Sequence, residues 1–241
     1  MNSVLLCEGS TDFALLQYFM RKVYGWEDKE RGPGFLRPSR VLGKDGNKLV
    51  IGGTGGSSQI LSKLEKIVDN NFHSAYDTEY YHKIAIVTDR DEEGTEKGLV
   101  QGIQTVFASY GVHMEDGLQA NVWNAGKMEN GSKEEKTLGI LFLVIPFEET
   151  GALETFLLNV ISNQDEYDKK IIEQGNRFVD QVDAEKRYLK SRRYITKAKC
   201  DVYFSIRTPA AFFVERQNIL KDVAWDGYME IQDSFRELEK L

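Results

Sequence analysis

Two short apolar runs in this chain end on acids. Val4-Leu5-Leu6-Cys7 leads into Glu8-Gly9-Ser10-Thr11-Asp12, and His82 to Thr88 leads into Asp89-Arg90-Asp91. A buried strand that delivers carboxylates at its C-terminal end is costly unless positive charge meets them there. If these strands lie side by side, Glu8, Asp89 and Asp91 meet at one rim of a sheet. Asp12, in the first turn of the following helix, is the natural fourth member, although helix capping accounts for it equally well on its own. Oxygen-only sets of this kind suit Mg2+ or Mn2+. The competing reading of the three acids is a solvated rim. Against it, Asp89, Asp91, Glu92, Glu93 and Glu96 are dense enough to repel one another without a cation. His73, His82 and His113 lie apart from the acids and read as structural.

Three other motifs compete for the same residues. Asp89-x-Asp91-x-Glu93-Gly94 imitates the start of an EF-hand loop. Its twelfth position is Val100 in place of a bidentate glutamate, and a strand precedes it in place of a helix, so that reading fails. A haloacid-dehalogenase-type phosphatase also carries two aspartates after a strand, but no later acidic pair of the expected kind is evident. The run Gly52-Gly53-Thr54-Gly55-Gly56 lacks the lysine of a P-loop, and Ser58 occupies the last glycine of a dinucleotide fingerprint. It reads as a tight strand-to-helix turn lining the site.

The elements that must position these acids follow from periodicity. Val4 to Cys7 is a strand buried on both faces. Ser10 or Thr11 caps a helix whose stripe is Leu16, Phe19, Met20 and Val23. Residues 26–47, with Pro33, Pro38 and several glycines, read as loop or irregular insertion. Leu49 to Ile51 is a second strand, and a helix follows from Ser57 to about Asp69. Lys83 to Thr88 is the third strand, followed by a helix from Thr95 to Tyr110. A weaker strand is expected near Asn121 to Trp123, an exposed loop over 126–137, a strong strand from Ile140 to Phe147, and a helix from Ala152 to Ile161. This alternation predicts an α/β fold with a mainly parallel sheet flanked by helices. Residues 1–162 form that domain. Residues 163–241 form a charged helical extension packed on it, interrupted near Pro209.

At 241 residues and 41% hydrophobic content the chain can bury a full core. Its net charge of −7 disfavours coating nucleic acid through overall charge. A local basic run exists nonetheless. Residues 186–199 hold seven basic side chains and no acid: Lys186, Arg187, Lys190, Arg192, Arg193, Lys197 and Lys199. They suit phosphate contacts, and Tyr188 and Tyr194 suit base stacking; a solvated helix face is the plain alternative. Two cysteines, Cys7 and Cys200, make no disulfide framework and no four-ligand zinc site, which fits a reducing cytoplasmic setting. No apolar stretch approaches the ~18 residues of a membrane span, and no export signal is visible.

An apolar strand with Glu8-Gly9-x-x-Asp12, then a later strand ending in Asp89-x-Asp91, resembles the Toprim domain of topoisomerases, primases, recombination mediators and the overcoming-lysogenization-defect (OLD) nucleases. The resemblance covers about residues 1–160. It implies a Toprim-like, Rossmann-like fold, Glu8 as acid/base or metal ligand, and Asp89 and Asp91 holding Mg2+. Without a four-cysteine zinc site or the tyrosine-bearing domains of a topoisomerase, the chain is most similar to small stand-alone Toprim proteins near the OLD nucleases. In those, an acid after the last core strand and a later basic residue assist the metals. Glu154 then completes the metal set of Glu8, Asp12, Asp89 and Asp91, with Glu149 as its rival. Lys197 and Lys199 are candidates for the phosphate or transition-state contact, Lys199 being taken as catalytic. The implied function is Mg2+- or Mn2+-dependent phosphodiester hydrolysis on nucleic acid, DNA before RNA. One alternative is a non-catalytic Toprim module in a phage-defence-like complex with an ATPase partner. Another is a small-molecule phosphatase or phosphotransferase. Homo-oligomerisation stays open.

Overall fold

The computed structural model describes residues 1–90, 94–147, 150–209, 220–221 and 223–241. The chain opens with strand β1 (Asn2–Cys7) and helix α1 (Ser10–Lys22), and continues through β2 (Glu27–Arg31), β3 (Ser39–Lys44) and β4 (Asn47–Gly53). Helix α2 (Ser57–His73), β5 (Tyr81–Asp89), α3 (Thr95–Ser109), β6 (Trp123–Glu129) and β7 (Glu135–Ile145) follow. Helices α4 (Leu153–Gln164), α5 (Glu166–Val182), α6 (Arg192–Arg207) and α7 (Met229–Ser234) complete it, with short 3-10 turns at Trp225–Gly227 and Arg236–Lys240.

The seven strands form one sheet in the order β2-β3-β4-β1-β5-β7-β6. Pairings β4-β1, β1-β5 and β5-β7 are parallel, whereas β2-β3, β3-β4 and β6-β7 are antiparallel. The sheet is therefore mixed, and the expected mainly parallel, Rossmann-like sheet is corrected. The antiparallel flanks come from segments whose sequence carries little apolar periodicity. Strand β2, Glu-Asp-Lys-Glu-Arg, is exposed at every residue; it is an edge protected by charge. The supposed loop 126–137 is the tip of the β6-β7 hairpin. There Gly126 and Met128 are buried between exposed neighbours, too short an alternation to announce a strand.

Apolar side chains alternate across the central strands and build two cores. Leu5 and Cys7 of β1 and Ala85 and Val87 of β5 face the layer formed by α1, α4, α6 and the C-terminal segment. Val4, Leu6, Ile84 and Ile86 face α2 and α3. The C-terminal residues Trp225, Ile231, Phe235 and Leu238 are fully buried in the first core. Ser3 Oγ donates to the carbonyl of Leu241 at 3.0 Å, so the end of the chain sits against β1. Among the described residues no helix is long and apolar enough to cross a membrane.

Candidate active site at the strand C-termini

The register brings the two acidic runs together. Cys7 lies opposite Val87 on one side and Gly53 on the other, at the roughly 4.8 Å spacing of neighbouring strands. Glu8 leaves β1 beside Thr88, whose hydroxyl donates to Glu8 Oε2 at 3.4 Å. Asp89 is the last residue of β5, and its Oδ1 accepts the Leu153 N–H at 2.9 Å, at the first turn of α4. Asp12 Oδ2 accepts the Gly9 N–H at 2.6 Å; Gly9, rather than Ser10 or Thr11, is therefore the residue that precedes α1 and is tied to it. Glu154, in the first turn of α4, meets Lys197 of α6 at 2.8 Å.

Glu8, Asp12, Asp89 and Glu154 line one cleft of about 340 Å3. Its other lining includes Arg192, Arg193, Thr196 and Lys197 of α6, and Ser57 at the start of α2. Acids from four elements thus face a basic helix across a small volume. The glycine run completes the rim. The N–H groups of Gly55 and Gly56 donate to the Glu8 carbonyl at 3.2 and 2.9 Å. Both glycines have positive φ, +91° and +125°, which a side chain would strain.

The acids disturb one another strongly. Burial first, then the charges of Asp12, Glu8 and Glu154, push the Asp89 carboxyl up to about 9, against the Leu153 N–H that lowers it. Burial also raises Asp12, to about 6; the Gly9 N–H opposes this, while Glu154 and Glu8 add to it. Burial works to raise Glu154 as well, but the hydrogen bond and charge of Lys197 prevail and hold it below the ordinary carboxylate value. Burial and the same acids push the Cys7 thiol well up, so it is an inert core thiol.

Among the described residues, no group of three or more His, Cys, Asp or Glu side chains is arranged to hold a metal ion as it stands. The chemistry of the donor set nonetheless fits a hard divalent cation. Every donor is oxygen, and burial, then the neighbouring carboxylates, disfavour the charged forms of Asp89 and Asp12, an effect a bound cation would oppose.

The other candidates are placed as follows. Asp91 and Glu149 lie outside the described residues. Lys199 pairs with Asp180 of α5 at 2.8 Å and is not part of the cleft lining; Lys197 is the lysine that reaches the acids. Lys186, Arg187 and Lys190 lie exposed on the α5–α6 loop, which is folded by Asp183 accepting the N–H groups of Arg187, Tyr188 and Leu189. The structure therefore splits the basic run, and only its α6 part reaches the cleft. Ser57, Thr88 and Thr196 were not singled out by sequence; Ser57 alone carried a signal, as the first helical residue after the glycine run.

A family model described as Protein of unknown function matches residues 2–231. The chain belongs to that family, DUF3226. Among solved structures it is similar to the hypothetical protein PH0156 from Pyrococcus horikoshii OT3, with 15% identity, 98% of this chain and 99% of that chain covered, and a TM-score of 0.52. That likeness concerns the fold alone. A lactoylglutathione lyase from Agrobacterium tumefaciens aligns at 13% identity over 58% of this chain and 91% of its own, with a TM-score of 0.18. The fosfomycin resistance protein FosX from Listeria monocytogenes aligns at 10% identity over 66% and 95%, with a TM-score of 0.19. Scores this low carry no argument. No curated protein matches the chain.

Proposed function

We propose that this DUF3226 chain is a Mg2+- or Mn2+-dependent phosphodiesterase acting on nucleic acid in the cytoplasm, DNA before RNA, with the acid set of a Toprim nuclease. One observation carries the reading: the cleft has four carboxyls on one side and Arg192, Arg193 and Lys197 on the other. Phosphodiesters need both, a cation-holding acid set and donors for the phosphate oxygens.

Glu8, Asp12, Asp89 and Glu154 would hold the cation, which when bound supplies an activated water and steadies the leaving oxygen. The Leu153 N–H aims Asp89, the Gly9 N–H aims Asp12, and Lys197 keeps Glu154 ionised. Arg192 and Arg193 bind and orient the phosphate backbone. The test is cleavage of plasmid and single-stranded DNA with Mg2+ or Mn2+. Nicking that disappears in Glu8→Gln and Asp89→Asn supports the reading; no cleavage with either metal sinks it.

A second reading is favoured by the net charge of −7: a binding module working beside an ATPase in a defence complex. It predicts metal binding without cleavage and co-purification of the ATPase. Turnover of p-nitrophenyl phosphate but not of DNA would point instead to a small-molecule phosphatase.

A further inference from the structure

Two aromatic side chains of the basic run belong to neither core. Tyr188, on the α5–α6 loop, is 71% exposed, and Tyr194, in the first turn of α6, is 54% exposed. The loop that carries Tyr188 is nevertheless tied down. Asp183 accepts the Arg187 N–H through Oδ1 at 2.9 Å, and the Tyr188 and Leu189 N–H groups through Oδ2 at 2.8 and 2.7 Å. The Arg187 guanidinium lies over the Tyr188 ring, 5.4 Å from its centre, and so braces that ring from one face. Ser191 accepts the Tyr194 N–H at 3.3 Å and starts α6, whose Arg192 and Arg193 line the acidic cleft. Tyr194 follows Arg193 directly. Tyr188 precedes Arg192 by four positions, which keeps their Cα atoms within about 14 Å.

We propose that this tied loop and the start of α6 form a stacking platform for a single-stranded nucleic acid. Its bases lie on Tyr188 and Tyr194 while its backbone runs past Arg192 and Arg193 into the cleft, and Asp183 positions the platform. The proposal rests on the nucleic-acid reading of the cleft and narrows it to unpaired strands. A duplex keeps its base faces stacked inside, whereas an unpaired strand offers those faces to an aromatic ring. Charge alone supplies little here. The chain carries −7 overall, and Asp183 and Glu185 stand just before the basic side chains. Stacking works without net charge, and the first turn of α6 holds no acid to repel a phosphate backbone.

The experiment is fluorescence anisotropy of the full chain with a labelled oligothymidine of about 15 nucleotides and with a duplex of the same length. Both titrations are run in EDTA, so binding is read without cleavage. The expected result is single-strand binding at least about tenfold tighter than duplex binding, which two stacked bases more than supply. Tyr188→Ala and Tyr194→Ala should each weaken single-strand binding about fivefold or more. Both should leave duplex affinity and the salt dependence unchanged, because no charge is removed. Lys190→Ala should instead make the salt dependence shallower, by about 0.7 in the log–log slope. Asp183→Ala deletes a negative charge, which by charge alone tightens binding; untying the loop should weaken it instead. Both rings lie at the surface, so the tyrosine variants should melt with the unaltered chain in thermal scans. Duplex bound as tightly as single strand, no binding, single-strand affinity that survives both tyrosine changes, or tighter binding by Asp183→Ala would each overturn the proposal. Cleavage of duplex and single strand alike, indifferent to the two tyrosines, would leave the hydrolytic reading standing and remove this one. The expected binding pattern without cleavage in Mg2+ or Mn2+ would do the reverse.

Discussion

Two lysines two residues apart have unlike partners, and the difference sets what each removal should do. Lys197 meets Glu154, whose side chain is only 6% exposed, whereas Lys199 meets Asp180, which is 52% exposed. Removing the first leaves a buried carboxylate without its cation. Lys197→Ala should cost about 2–3 kcal/mol by denaturant unfolding, and adding Glu154→Gln should recover much of it. Lys199→Ala should cost no more than about 1 kcal/mol. Asp89 carries a pH signature. Its carboxyl is raised from the ordinary 3.8 to about 9 in the folded chain. Between those values the folded state keeps a proton that the unfolded chain has released, so stability falls as pH rises through that window. Asp89→Asn keeps an oxygen for the Leu153 N–H and removes the titration. It should raise the Tm at pH 8 by at least about 2 °C and flatten its decline from pH 5 to 9. Scans of both proteins in EDTA check this, and an unchanged slope would refute it. Lys197 itself sat inside the basic run legible in the sequence, but its choice over Lys199 required the orientation of α6.

At the scale of elements, the turn after β4 is what fixes the end of β1. Gly55 and Gly56 reach the Glu8 carbonyl only through backbone angles that favour glycine. Gly56→Ala should therefore cost about 1–3 kcal/mol and weaken metal binding together with stability, measured by unfolding and by Mn2+ titration. Stability unaffected by that change would show the turn to be dispensable. The strands carrying the acids were legible because they are buried on both faces and read as unbroken apolar runs. Strands β2 and β6 were not, because edge strands bury little and need no apolar alternation, and β3 buries only the adjacent pair Val41 and Leu42, which shows no alternation. Those three segments decide that the sheet is mixed.

For the whole molecule, the helical C-terminal region closes the core beneath the acids. Phe204 of α6 and Trp225, Phe235 and Leu238 beyond it are fully buried with residues of α1 and α4. Trp225 also donates its indole N–H to the Leu220 carbonyl at 2.9 Å. Trp225→Ala should cost about 3–5 kcal/mol, and a chain ending at residue 162 should lack native near-ultraviolet circular dichroism because it uncovers that face. A native spectrum from the shortened chain would show that residues 1–162 fold alone.

By itself the sequence determined the acids, the apolar strands that deliver them and the helices that alternate with those strands, because burial and helical periodicity are written locally. Tertiary structure alone decided the direction of the outer strands and the choice of Lys197 for Glu154. Those depend on which distant segments pack together, and no local pattern of residues encodes such a meeting.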